Sequence, residues 1–262
     1  MTNQALQVAR SGLDAQNRRM QVIANNLANV NTTGFKRDRA NFESLAYQQI
    51  VAAGTSSSAE NKYATGLNLG TGVQMTGTER IDTQGTSVAT GNALDMEIDG
   101  AGFFQVQMPD GRIAYTRAGN FSLSPEGTIV TGDGLPLQPQ IQVPQGATSV
   151  SIGADGTVSA VVAGESAPTE LGKIETTRFV NTAGLQPIGN NLLVETAASG
   201  APQTGAPGLD GRGSIRSGTL ESSNVNVVEE LVDMIETQRA YEVNSKMIQA
   251  ADEMMRNANQ QL

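Results

Sequence analysis

The chain contains no cysteine, no histidine and no tryptophan. Without cysteine there is no disulfide, no thiolate metal site and no thiol nucleophile, although the redox compartment stays open. Without histidine the usual general base and the commonest metal ligand are missing. Aromatic residues are only 4% of the 262 positions, so any core must be built from Val, Leu, Ile and Ala. Excess positive charge is lacking too. The net charge of −9 and isoelectric point of about 4.6 argue against nucleic acid and against an anionic membrane surface as partners. The apolar runs are far too short to span a bilayer, so direct membrane insertion is not expected. Arg10, Asp14, Arg18 and Arg19 interrupt any apolar core of the signal-peptide kind. A secreted fate would need a route that does not read such a signal.

What remains is arranged in zones. All nine prolines lie between Pro109 and Pro207, and no glycine falls in residues 225–262. Only Gly12 and Gly34 fall in residues 1–40, so both ends are free to be helix while the middle is punctuated as strands and turns. Both ends carry apolar residues at a spacing of seven: Leu6, Leu13, Met20 and Leu27 at the start, and Val227, Met234, Tyr241, Ile248, Met255 and Leu262 at the end. Such a repeat is a helical seam that wants a partner helix. A second, mixed seam on the first helix runs through Ala9, Gln16, Ile23 and Val30. The C-terminal seam is widened by Ala240, Met247, Ala251, Met254 and Ala258. The candidate assembly surface is thus Leu6, Leu13, Met20, Ile23, Leu27 and Val30 on the first helix, with Val227, Leu231, Met234, Tyr241, Ile248, Met255 and Leu262 on the last.

The first helix is predicted from about Thr2 to Val30, ended by Gly34 in a left-handed conformation. The last is predicted to start after Ser222, Ser223 and Asn224, which are good cap candidates. Residues 1–40 hold six basic groups against Asp14 and Asp38, and residues 225–262 hold seven acidic groups against Arg239, Lys246 and Arg256, so the zones carry +4 and −4. Two such helices attract, within a chain or between subunits. Each exposed pair is worth only about 0.2–1 kcal/mol, and two solvated helix faces would read the same way.

The middle reads as antiparallel β. Phe103–Met108 and Arg112–Arg117 flank a Pro109-Asp110-Gly111 turn, and Ser149–Ile152 and Thr157–Val161 flank Ala154-Asp155-Gly156. Lys173–Val180 and Asn191–Glu195 are further strands, and residues 197–219, with six Gly and two Pro, read as a long surface loop. Residues 43–75 read as an extended connector in which Gly54–Lys62 has the composition of a mobile segment. The fold class is therefore α+β. Long terminal helices pair into a coiled-coil-like layer from residues 1–42 and 222–262, and an all-β antiparallel domain occupies 76–221.

No catalytic or cofactor motif emerges. Asp95, Glu97, Asp99 and Gly100 match the first half of a calcium loop, but the twelfth position, where a bidentate Glu belongs, is Val106. The expectation for that segment is an alternating acidic face on an exposed strand. Gly66, Gly70 and Gly72 lack the strand–turn–helix setting of a dinucleotide site. No nucleophile elbow is present, and nothing singles out one carboxylate pair among the 26 Asp and Glu.

The run Ala24-Asn25-Asn26-Leu27-Ala28-Asn29-Val30-Asn31-Thr32-Thr33-Gly34-Phe35-Lys36-Arg37 closely resembles the signature of the flagellar rod and hook proteins. The run from Leu220 through Lys246 resembles that family's terminal domain, and Ile98–Val106 with Tyr115–Phe121 resembles its β-domain. Glu97 stands where the family often has an apolar or small residue, and Ala101 where it is often acidic. Chain length, the Thr65–Val73 connector and Thr83-Gln84-Gly85 resemble the distal-rod branch. The resemblance makes Ala24, Asn25, Asn26, Asn29, Asn31, Thr33, Gly34, Phe35 and Lys36 family-signature residues.

It implies a non-enzymatic structural subunit, without cofactor, that self-assembles into a tubular shaft around an export channel. The implied partners are further copies, proximal rod proteins, the hook protein, the surrounding P and L ring proteins and the rod cap. The implied place is the periplasm-spanning rod of the basal body, reached through the flagellar type III apparatus without a cleaved signal. A proximal rod subunit is the rival within the class. A secreted β-domain with binding or hydrolytic activity is the rival outside it.

Overall fold

Freedom from proline and near-freedom from glycine let both ends of the chain run as single helices. The computed structural model describes residues 2–55, 64–162 and 167–260. Helix α1 spans Thr2–Ala28 and helix α2 spans Val227–Gln260. Leu262, the Ala258 side chain and the greater part of Gly54–Lys62 lie outside the described residues. Two differences from expectation mark the helix ends. α1 stops at Ala28 rather than Val30, because Thr32 donates from its N–H to the Asn29 carbonyl (3.1 Å) and from its hydroxyl to Asn29 Oδ1 (3.1 Å), turning the chain before Gly34 at φ 69°. α2 is capped by Asn226, whose Oδ1 accepts the Val228 N–H at 3.0 Å. Asn224 is occupied elsewhere: its amide donates to the Ile81 and Thr83 carbonyls, and its Oδ1 accepts the Arg37 N–H.

The chain divides into two units. The first comprises residues 1–27, 38–79 and 226–262; the second comprises 28–37 and 80–225.

In the first unit α1 and α2 lie antiparallel. A Cβ built on Gly12 would stand 3.1 Å from Asn244 Nδ2, Arg19 Nη2 is 3.3 Å from Asp233 Oδ1, and Asn26 Nδ2 is 3.3 Å from both oxygens of Glu230. Of the pairings left open by charge, the one within a chain is therefore present. The same unit carries β1 (Asp38–Ser44), β2 (Tyr47–Val51), β3 (Leu67–Gly70) and β4 (Val73–Arg80), with β1 on β4 and β2 on β3. Ser11 Oγ accepts the Val73 N–H at 3.2 Å and so ties α1 to the start of β4.

In the second unit β5 (Ser87–Ala89) pairs with Thr219–Glu221, and β6 (Met96–Asp99) pairs with Ser214–Ser217. β7 (Phe103–Gln107) and β8 (Ile113–Thr116) form the hairpin expected from Asp110-Gly111, where Gly111 takes φ 83° and Asp110 Oδ1 accepts the Arg112 N–H. They lie at the middle of a seven-stranded antiparallel sheet, completed on one side by Leu192–Val194 and Gln186–Gly189. Thr176–Arg178 and Gln203–Gly205 complete the other side, and Leu137–Gln138 also pairs with β7. A separate three-stranded sheet joins Ala147–Ile152, Thr157–Val162 and Thr169–Lys173.

β7 buries both its faces. Phe104 and Val106 enter the main core with Met96, Ile98, Ile129, Leu137, Ile174 and Ile215. Phe103 enters a second cluster in which Phe179 stands edge-on to Phe103 and Tyr115.

Two expectations are corrected. Asp95–Asp99 is not an exposed acidic strand: Met96, Glu97 and Ile98 are all buried, because β6 is roofed by Ser214–Ser217 and its Ile98 fills the core. Residues 197–219 are not one surface loop either. They include two strands and the first residue of a third, and Ile215 is the buried apolar residue of the strand that pairs with β6.

Candidate assembly site

The two helices pair through an unusual face. On α2, Glu230, Met234, Thr237, Asn244, Ile248, Ala251 and Met255, at steps of three, four or seven, are buried or half-buried. Three of these are polar, and Glu230 and Thr237 are fully buried. Among the described side chains, α1 buries Ala9, Ala15, Ile23 and Asn26, with Leu6, Leu13, Met20 and Leu27 half-buried. Asn26 fixes the end of this pair. Its Nδ2 donates to the Asp38 carbonyl at 2.9 Å, its Oδ1 accepts the Asp38 N–H at 3.0 Å, and the same Nδ2 faces Glu230.

Of the seven-spaced α2 positions, Met234, Ile248 and Met255 are half-buried, while Val227 and Tyr241 are exposed, as is Leu231 beside them. Val30 is half-buried in the turn after α1. A different apolar row is the more exposed one. Val228, Val232, Ile235, Val243, Met247 and Met254 are each between 50% and 68% exposed. The widened seam includes Met247 and Met254, but counting every seventh residue missed Val228, Val232, Ile235 and Val243; the three- and four-residue spacing of Val228, Val232 and Ile235 is the signal that would have found them.

From Asn29 onward the family signature folds into the second unit. Asn31 is exposed, the Thr33 carbonyl accepts Asn191 Nδ2 at 3.0 Å, and Phe35 is buried. Gly34 donates its N–H to the Glu221 carbonyl at 2.8 Å; a Cβ there would stand 2.6 Å from Ala118 N, so both its φ and its surroundings require glycine. Ala24 and Asn25 are exposed on α1 in the first unit.

Lys36 enters a buried charge cluster that the sequence did not announce. Its Nζ is 2.5 Å from Glu221 Oε1 and donates to the Thr83 carbonyl at 2.7 Å. Arg117 Nε lies 3.1 Å from Glu221 Oε2, and Arg117 Nη1 donates to the Gly100 and Gly102 carbonyls. Gly85 adds its N–H to Glu221 Oε1 at 2.9 Å. Burial pushes the Lys36 ammonium below its ordinary value, against the hydrogen bond and charge of Glu221. Burial pushes Glu221 upward, but the Arg117 charge and the Lys36 and Gly85 hydrogen bonds outweigh it and hold the carboxyl below its ordinary range. Glu97, where the resemblance led one to expect an apolar residue, is buried beneath Gln84 Nε2 and the Ser87 hydroxyl. Asp95 instead accepts from Thr90 and Asn92, and Asp99 pairs with Arg216. The three half-loop acids therefore face three different sets of partners.

A helical pair with an apolar outer face is suited to packing against other protein. Family models match residues 6–36 (Flagella basal body rod protein), 97–160 (Flagellar hook protein FlgE/F/G D1 domain) and 216–261 (Flagellar basal body rod FlgEFG protein C-terminal). These define the class, an axial protein of the flagellum. The chain is 52% identical to the flagellar basal-body rod protein FlgG of Buchnera aphidicola subsp. Acyrthosiphon pisum and 46% identical to that of Caulobacter vibrioides, over 98% of each chain. It is 36% identical to the flagellar basal-body rod protein FlgF of Caulobacter vibrioides, over 98% of this chain and 97% of that one. The chain belongs to the FlgG family of flagellar basal-body rod proteins. No helix among the described residues is long and apolar enough to cross a membrane.

Proposed function

We infer that this chain is a non-enzymatic structural subunit of the flagellar distal rod. Copies self-assemble into a rigid tubular drive shaft that passes torque from motor to hook and encloses the export channel. The single observation that carries this reading is the exposed apolar row of α2 in a member of the rod family. A two-helix layer whose mutual face mixes polar and small residues with its apolar ones buries limited apolar surface, and isolated helices are marginal in water. Ordering each residue costs about 1–2 kcal/mol, so neighbouring copies are the natural source of the missing burial. Identity of 46–52% to FlgG relatives against 36% to a FlgF relative favours the distal over the proximal rod. On this reading the other partners are proximal rod proteins, the hook protein, the P and L ring proteins and the rod cap. The subunit reaches the periplasm-spanning rod through the type III apparatus.

The test is electron microscopy of concentrated purified protein. Filaments that appear above a threshold concentration are the expected result. A protein that stays monomeric at every concentration, and whose melting shifts with a small ligand, would support a secreted binding or hydrolytic domain instead.

A further inference from the structure

Rod assembly, on the reading above, needs a contact that repeats, and the first unit carries both halves of one. The first half is Val228, Val232 and Ile235, each at least half exposed. At about 100° per residue this row lies roughly 150° around α2 from Glu230, Thr237 and Asn244, the side that α1 covers. Glu236 is exposed beside it. The second half is a groove of about 290 Å³ between α1 and β4, where Val22 and Met75 are flanked by Arg18 and Gln21 on one side and by Asp38, whose backbone is held by Asn26, and Thr78 on the other. Arg18 is exposed at its rim, while its neighbour Arg19 is already engaged with Asp233.

An isologous contact of one α2 row on another would close a dimer, whereas a patch that fits a groove elsewhere on the molecule repeats without closing. Charge favours the second arrangement. Row on row sets acidic α2 against acidic α2, while row on groove sets Glu236 toward Arg18. Size agrees. The row and its continuation to Met254 offer a strip ~39 Å long and ~10 Å wide, a few hundred Å², below the ~800 Å² per partner of a stable pair. Such a contact holds only when each copy makes several at once.

The geometry points to a heterologous contact in which the Val228, Val232 and Ile235 row of one copy seats on the Val22 and Met75 groove of the next, with Glu236 against Arg18. Because the chain has no cysteine, the contact can be trapped cleanly. Copies carrying Gln21→Cys and copies carrying Val232→Cys, distinguishable by a mass tag, are mixed, assembled and oxidised. The expected product is a crosslink between the two kinds of copy. In parallel, Arg18→Glu and Glu236→Arg should each raise the critical concentration about two- to fivefold, and the two changes together in one chain should restore it. Filaments that form without the crosslink, or with Val232→Cys joined only to itself, overturn the contact while leaving the rod reading intact. Failure of the unaltered protein to polymerise at any concentration overturns the rod reading and the contact with it.

Discussion

Glu221 bridges two buried cations, and replacing it with Gln is the most demanding test of how the second unit is held. Lys36, Arg117 and Glu221 are respectively 4%, 7% and 1% exposed, so solvent screens them little. Glu221→Gln keeps the volume and a carbonyl for the Gly85 N–H. It removes the carboxylate that both Lys36 and Arg117 contact and leaves only the more distant charge of Asp82 acting on Lys36. Removing one partner of a buried ion pair costs about 3–5 kcal/mol. With a urea dependence near 2 kcal/mol per molar, the unfolding midpoint of the β signal should fall by roughly 1.5–2.5 M. Lys36→Met is the internal comparison. It leaves Glu221 with Arg117 and the Gly85 N–H, and should cost about 1–3 kcal/mol, the worth of a charge-assisted hydrogen bond.

The pH profile adds a second readout. Glu221 is held below its ordinary value, so its contribution is complete above the ordinary carboxylate range and is lost as pH falls through the lowered value. Lys36 is also lowered, so its burial penalty is relieved as pH rises from its lowered value toward 10.5. Both effects make stability rise with pH, and Glu221→Gln should flatten the acid limb. A loss below about 1 kcal/mol for Glu221→Gln, or one no larger than that of Lys36→Met, would refute the argument that this carboxylate neutralises both cations.

Gly34→Ala should destabilise the second unit by several kcal/mol, read as a lower urea midpoint, because the residue must hold φ 69° and its Cβ would press on Ala118 N. Asn26→Asp sets a carboxylate against buried Glu230; the new acid should be held above its ordinary range, so helix stability by circular dichroism should be near normal below pH ~4 and fall as pH rises. Ile248→Asp and Leu27→Asp should each abolish filaments at a cost of several kcal/mol to the helical pair while the β signal survives. Amide exchange on dilute protein should be fast in α1 and α2, slow in β7 and β8, and slowed in the helices on polymerisation; equal protection of helices and sheet in a proven monomer would contradict this.

The parts of this fold that could be read from sequence are those set by local chemistry. Absence of Pro and Gly marked both helices, and Asp110-Gly111 marked the β7–β8 hairpin, because backbone permission is decided within a few residues. Selections among chemically similar neighbours failed. Asn226 caps α2, whereas Asn224 looked equally able; its amide instead joins Ile81, Thr83 and Arg37, more than 140 residues away. The strand at Ser214–Ser217 was hidden because Ile215 is a lone apolar residue among glycines, and only its fit beside Ile98 identifies it. Lys36, Arg117 and Glu221 carry no local signal at all, since nothing near any of them tells of the other two.

The helix pair shows why one periodicity was insufficient. A repeat of seven assumes that the helix has one apolar face. α2 has a mixed face, where Glu230, Thr237 and Asn244 sit with Met234 and Ile248, and a second face led by Val228, Val232 and Ile235. Burying the polar set within one chain satisfies Glu230 through Asn26 and leaves the branched apolar side chains outside. A soluble monomer with a single core would reverse that assignment. On the proposed rod reading, Asn26 and Glu230 set the register of the pair and the exposed apolar side chains remain for contacts between copies.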